Sequence, residues 1–133
     1  MKKETYATNT LSTVTDAFFD DLQEPEKIKI AVVMPVYNTA AYLCECIESI
    51  LQQTHTNFVV FAVDDGSLDE SGLLLDEYAD RDNRIRVFHK NNEGVSSARN
   101  FALEQIEKDG SFHLVAFCDS DDVVAPDFLR LYA

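Results

Sequence analysis

Basic residues are scarce in this chain. Eleven Lys and Arg stand against 24 Asp and Glu, a formal net charge of −13 over 133 residues. Such a balance argues against nucleic acid or an anionic membrane surface as a partner, since either would be repelled. An anionic ligand would need a metal ion or a local set of donors. Long hydrophobic runs are also missing. Nothing approaches the ~20 apolar residues needed to span a bilayer, and Met1-Lys2-Lys3-Glu4-Thr5 leads into no apolar signal segment. The expectation is a cytoplasmic protein without a transmembrane segment, at most peripheral to the inner face of a membrane. Cysteine is too sparse for a disulfide framework: Cys44, Cys46 and Cys118 match no zinc spacing, and read as buried, reduced thiols. On a helix, Cys44 and Cys46 would point about 200° apart and could not share a metal. His55, His89 and His113 lack partner spacing, and there is no internal repeat or low-complexity tract.

What remains is the composition of one soluble domain, 46% hydrophobic. Residues 1–27 read as a polar leader. Within it Leu11, Val14, Phe18 and Leu22 keep helical spacing, enough for a short amphipathic helix. From residue 28 the chain alternates apolar runs with amphipathic stretches. Ile28 to Met34 is an apolar, β-rich run stopped by Pro35, followed by helical periodicity from Ala40 to Gln53. Phe58 to Val63 is a second buried strand, and Ser67 or Asp69 can cap a helix running to about Arg81. Ile85 to His89 makes a third strand, Gly94 to Gly110 brackets a third helix, and Phe112 to Cys118 is a fourth strand. Pro126 is placed to open a last helix.

This β-α-β-α-β-α-β order expects a parallel Rossmann-like sheet with helices on both faces. If it follows the mononucleotide-binding half of a doubly wound fold, the strand order is 3-2-1-4, with a crevice at the C-terminal tips of strands one and four.

The chemistry gathers at those tips. Leu114 to Asp122, LVAFCDSDD, drives an apolar strand into three carboxylates, Asp119, Asp121 and Asp122. A core excludes such a cluster, whereas hard oxygen donors suit Mn2+ or Mg2+, and such an ion suits a pyrophosphate. A solvated acidic loop is the competing reading. Asp64 and Asp65 end the second strand, where they either start a turn or accept from a base N–H or ribose hydroxyl. Tyr37, in the Pro35 to Asn38 stretch after strand one, offers a stacking surface or packs at a loop edge. Arg99, inside the helix after Gly94, can meet phosphate or sugar oxygens or pair with a nearby aspartate.

Taken in order, VVMPVYN (Val32 to Asn38), SILQQT (Ser49 to Thr54), VDDGSLDES (Val63 to Ser71), NNEGVSSARN (Asn91 to Asn100), FCDSDD (Phe117 to Asp122) and APDFL (Ala125 to Leu129) resemble the family 2 glycosyltransferases, inverting enzymes of the GT-A fold. The likeness runs from about Lys29 to Leu131. It implies a nucleoside-diphosphate sugar donor, most often UDP-linked, a saccharide or glycoconjugate acceptor, and Mn2+ or Mg2+. By motif position, Pro35 and Tyr37 border the base, Asp65 accepts from uracil, Arg99 is a donor contact, and Asn38 and Asp64 count with them as substrate-binding residues. Asp119 lies near ribose or sugar and the metal, Asp121 ligates the metal, and Asp122 assists. In that family the acceptor hydroxyl attacks the anomeric carbon, helped by a carboxylate base from segments after the DxD strand. The general base is therefore expected downstream of this chain, and residues 28–133 read as the N-terminal, donor-binding part of a GT-A domain truncated after the DxD strand. Surface polysaccharide synthesis is the pathway class the family implies. Self-association through an uncovered sheet edge is a further expectation.

The alternative is a truncated, non-catalytic nucleotide-sugar-binding or interaction module. Receiver-like and haloacid-dehalogenase-like folds are disfavoured, because both need aspartate at the end of strand one, where this chain reads Met34-Pro35-Val36-Tyr37.

Overall fold

A computed structural model describes residues 24–132, so the helix expected between Leu11 and Leu22 lies outside the described residues. A single turn of 3-10 helix, Pro25–Lys27, leads into β1 (Ile30–Val36), α1 (Ala40–Leu51), β2 (Phe58–Asp64), α2 (Ser71–Arg81), β3 (Ile85–His89), α3 (Val95–Asp109) and β4 (Leu114–Phe117). All strand pairs are parallel and the spatial order is β3-β2-β1-β4, as the alternating pattern required.

β1 is the centre of the sheet and buried along its whole length. Its side chains alternate between two cores, as strand geometry demands. Ile30, Val32, Met34 and Val36 face one cluster with Leu43, Cys46, Ile47 and Ile50 of α1 and Leu75 and Tyr78 of α2. Ala31 and Val33 face the other, with Ala98, Ala102 and Ile106 of α3. The small alanines on both sides let α3 lie close across β1 and β2. Helices thus cover both faces. Phe61 anchors the α3 side, edge-on to Phe112 at 5.4 Å. α3 stops at Gly110, which takes the left-handed conformation (φ 73°) and donates to Ile106 O.

Four expectations are corrected. First, Pro35 does not end β1; it lies inside the strand, paired with Val63 of β2. Val36 O accepts from Asp65 on the β2 side and Val33 O from Cys118 on the β4 side. By alternation Pro35 turns its nitrogen toward β4, beyond the last β4 pair at Val33 and Phe117, so no ladder donor is lost. Second, β4 is shorter than expected, four residues. Third, residues 126–132 form successive turns instead of a helix. An α-helix would send Leu129 N–H to Ala125 O. Here the Gln53 carboxamide intervenes, accepting from Leu129 N at 2.8 Å and donating to Ala125 O at 2.6 Å. Fourth, Cys44 is exposed, while Cys46 and Cys118 are buried as expected. Two helical positions carry Cys44 to the solvent side, whereas Cys46 Sγ lies 3.8 Å from Cys118 Sγ. That neighbouring thiol, together with burial, pushes the Cys118 thiol up.

Candidate functional site

At the C-terminal tips of the strands lies a cleft of about 500 Å³, bounded by the loops after β1, β2 and β4 and by the first turns of α3. It opens between β1 and β4, the two neighbours whose connections depart in opposite directions. Six expected site residues line it: Pro35, Tyr37, Asp65, Arg99, Asp119 and Asp121. Asn38, Asp64 and Asp122 do not.

The wall after β1 is held by the β2–α2 loop. Asn38, with φ 52°, donates its N–H to Ser67 Oγ at 3.0 Å and accepts from Leu68 N at 2.7 Å. Thr39 N donates to Ser71 Oγ, and Ala40 N to Asp69 Oδ2. The amides that open α1 are therefore satisfied by residues from another loop, which fixes the adjacent Tyr37 at the cleft edge. Tyr37 remains 45% exposed, a free aromatic face. Asp69 also accepts from Ser71 N at 2.9 Å, from one position before the N-cap, which is Glu70 and not Ser67 or Asp69 as expected. Burial pushes the Asp69 carboxyl up, but the Ser71 and Ala40 hydrogen bonds outweigh it and hold it below its ordinary value.

Asp64 and Asp65 part company because successive strand residues point to opposite sides. Asp64 turns away from the cleft, accepting from Ser67 N at 2.9 Å and lying 2.8 Å from His89 Nδ1. Asp65 turns toward the β3–α3 loop and is only 2% exposed. Its carboxylate accepts from Glu93 N at 3.0 Å, Gly94 N at 2.9 Å, Lys90 Nζ at 3.3 Å and Asn92 Nδ2 at 3.3 Å. Glu93 and then Asp65 hold the Lys90 ammonium above the usual lysine value. Asp65 is thus the staple that presents Asn92, Gly94 and the N-terminus of α3 to the cleft. The positive end of that helix dipole faces the same space.

Opposite lies the β4 tip. Asp119 accepts from Arg99 at 3.2 Å, the pairing with a nearby aspartate that was one of the two readings of Arg99, and Arg99 also lines the cleft. Ser120 turns inward and is buried, its hydroxyl 2.9 Å from Thr39 Oγ1, which ties the β4 tip to the start of α1. Asp119 and Asp121 on either side are exposed, and Asp122 N–H closes a turn onto Asp119 O at 3.0 Å.

Among the described residues no three His, Cys, Asp or Glu side chains gather into a set that could hold a metal ion by themselves. Three carboxylates line the cleft, but Asp65 is engaged by four donors, which leaves Asp119 and Asp121 as the exposed donor set. Mg2+ and similar ions are commonly held by one or two carboxylates with phosphate oxygens completing the shell. The residues fit that mode and not an all-protein cage.

The sequence reading missed Thr39, Ser120 and Asn92 as cleft residues. Asn92 lay inside the quoted block Asn91 to Asn100 without a role of its own, while Thr39 and Ser120 meet across 81 positions of sequence, which no local pattern encodes.

The family model described as glycosyl transferase family 2 matches residues 31–132. Glycosyltransferase GlyG of Streptococcus pneumoniae is 41% identical over 102 residues, 76% of this chain and 33% of that protein. The putative glycosyltransferase EpsH of Bacillus subtilis is 40% identical over 99 residues, 74% of this chain and 28% of that one. The chain therefore spans about a third or less of the length of these relatives. Among solved structures, Staphylococcus aureus TarS 1–349 in complex with UDP-GlcNAc superposes with a TM-score of 0.68 at 33% identity, over 77% of this chain and 29% of TarS. The mannosyltransferase PcManGT from Pyrobaculum calidifontis, in complex with GDP-Man and Mn2+, shares the fold with a TM-score of 0.66 at 23% identity, over 76% of this chain and 30% of that one. No helix among the described residues is long and apolar enough to cross a membrane.

Proposed function

The chain belongs to glycosyl transferase family 2, and from that membership we propose that it forms the donor-binding part of an enzyme transferring a sugar from a UDP-sugar to an acceptor hydroxyl with inversion. The observation that carries this reading is the meeting of Asp65, Arg99, Asp119 and Asp121 around one cleft, from three separate segments of chain. The TarS complexes with UDP and UDP-GlcNAc, at 32% and 33% identity, support uridine as the donor base.

In this reading Tyr37 and Pro35 border the base, with Asn38 holding the Tyr37 backbone and Asp64 bracing the loop behind it. Asp65 accepts from the uracil imide N–H. Its four contacts leave no spare lone pair, so the base must displace one of the two longest, Lys90 or Asn92, both at 3.3 Å. Arg99 and the N-terminus of α3 face the diphosphate. Asp121 and Asp119 would hold Mn2+ or Mg2+, with Asp122 assisting through the turn. When bound, such an ion neutralises charge that develops on the departing diphosphate.

The transfer itself is a displacement. The acceptor oxygen forms a bond to the anomeric carbon, the carbon–oxygen bond to the diphosphate breaks, and the electron pair leaves with the nucleotide. The acceptor proton passes to a carboxylate base that we place outside residues 24–132. Arg99, paired with Asp119, could move its guanidinium onto phosphate if that carboxylate were to hold the ion.

Calorimetric titration of UDP into the 133-residue chain, with Mn2+ and then with EDTA, tests this. Metal-dependent binding abolished in Asp121→Ala is the expected result. Equal binding in EDTA, or none at all by a folded sample, would overturn it. A second reading is a module that binds donor in the same cleft without turning it over. Donor hydrolysis or transfer by the same sample would exclude it.

A further inference from the structure

At the far end of the β1 brace, outside the cleft, His89 at the end of β3 sits between two carboxylates. Its Nδ1 is 2.8 Å from Asp64 Oδ2 on β2 and its Nε2 is 2.8 Å from Asp76 Oδ1 on α2. The two partners differ in their access to water. The Asp64 side chain is 9% exposed and the Asp76 side chain 55%. The first turn of α2 seals the inner contact: a Cβ on Gly72 would stand 2.7 Å from Asp64 Oδ2 and 3.4 Å from His89 Cε1. Among the described residues Asp64 and Asp76 are the charges that act on the ring, and the neighbouring Lys90 directs its ammonium at Asp65, Asn91 O and Glu93.

The other oxygen of Asp64 leads into the cleft wall. Asp64 Oδ1 accepts from Ser67 N at 2.9 Å, Ser67 Oγ accepts from Asn38 N at 3.0 Å, and Asn38 follows Tyr37. Asn38 stands at φ 52°, in the left-handed region that asparagine adopts more readily than most L residues. The Asp64 carboxylate is therefore one of the groups that fix Ser67 and, through it, Asn38, beside the Leu68 N–H on Asn38 Oδ1.

We propose that His89 is a positioning residue for the donor cleft, keeping its proton on Nδ1 as a constant donor to Asp64. The proposal rests on the donor-binding reading above. The physical reason is the asymmetry of the two partners. A neutral imidazole has a single N–H. If the proton left Nδ1, a sealed carboxylate would lose a donor that water cannot replace. If it leaves Nε2, Asp76 simply turns to solvent. Asp64 first and then Asp76 raise the His89 pKa, so the ring carries both protons to higher pH than a free histidine. When the second proton is lost, the Nδ1–H form remains, the reverse of the tautomer that dominates in free histidine.

Two conservative variants separate the partners. Asn places its amide nitrogen near the position of Nδ1, and Gln near that of Nε2. His89→Asn should keep the Asp64 bond and bind UDP with Mn2+ within about twofold of the parent chain. His89→Gln should lose it, weaken UDP about fivefold or more, and shift the Ser67 and Asn38 amide resonances. In the unsubstituted chain, imidazole nitrogen shifts above the titration midpoint should report the Nδ1–H tautomer. The Nε2–H tautomer, or equal behaviour of the two variants, would overturn the proposal. Failure of UDP to bind any of the three would count against the donor-binding reading alone. The tautomer, and the Ser67 and Asn38 amide shifts, would still decide the role of His89 without nucleotide.

Discussion

Asp65→Ala removes the acceptor on which the β3–α3 loop is hung. The carboxylate is 2% exposed, and two of its partners are the backbone amides of Glu93 and Gly94, at 3.0 and 2.9 Å. Neither amide has a second acceptor in its vicinity once alanine leaves a methyl group there. At about 1–3 kcal/mol for each donor left unsatisfied, the two amides together could cost about 2–6 kcal/mol, and because Glu93 and Gly94 are exposed residues that water reaches, the lower part, about 2–4 kcal/mol, is expected. With a urea slope of about 1.5–2 kcal/mol/M, that is a fall in the unfolding midpoint of about 1–3 M. Asp65→Asn should lose roughly half as much. Its oxygen can serve one amide, but its NH2 then confronts the other. The two midpoints, read by circular dichroism on the 133-residue chain, test the ordering, and amide resonances of Asn92 to Val95 test the location. A loss below about 1 kcal/mol for the alanine variant, with those resonances unmoved, would refute the idea that Asp65 is the staple. UDP binding in the same variants is a separate readout, expected to fall further than stability alone requires.

Gly66 stands at φ 74°, and a Cβ there would lie 2.8 Å from Asn92 N, so Gly66→Ala should cost about 1–3 kcal/mol in urea unfolding and weaken UDP by displacing Asn92; an unchanged midpoint would contradict the close approach of the two loops. Gln53→Ala orphans Leu129 N and should cost about 1–3 kcal/mol. It should also speed tryptic cleavage after Arg130, unless residues 125–129 wind into the helix that Gln53 prevents, which a rise in helical circular dichroism would reveal. The Ser111 hydroxyl and then Arg86 depress the Asp109 carboxyl from 3.8 to about 2, so this group adds stability above its ordinary value that disappears as pH falls through about 4 toward about 2. Comparison with Asp109→Asn across that window should show the stability difference closing; a difference that persists at pH 2 would remove the ion pair as its source.

Much of the architecture follows from local pattern alone. The apolar runs over β1, β2 and β4 are too continuous for half-exposed strands, and the 3.6-residue spacing of Leu43, Cys46, Ile47 and Ile50 leaves no alternative to a helix packed on a sheet. Parallel pairing and the order β3-β2-β1-β4 then follow from crossover rules, and the crevice at the tips of β1 and β4 with them. Placing Asp65, Arg99, Asp119 and Asp121 there needed only the strand ends and the helix start. Pro35 was misread because its effect depends on whether a neighbouring strand needs its missing N–H. That neighbour, β4, lies about eighty positions downstream, and its last pair falls two residues short of Pro35.

Contacts between distant segments decided the rest. Arg99 finds Asp119 across 20 positions, Thr39 finds Ser120 across 81, and Gln53 interrupts a helix 72 to 76 positions away. Local propensity carries no information about such pairs, because each is chosen only when the sheet has brought its loops together. The clearest case is the Asp64-Asp65 pair, two identical residues side by side. In sequence they are interchangeable as ligand acceptors. In the fold, the alternation of a strand sends one to His89 and the back of the brace, and the other to the loop that lines the cleft.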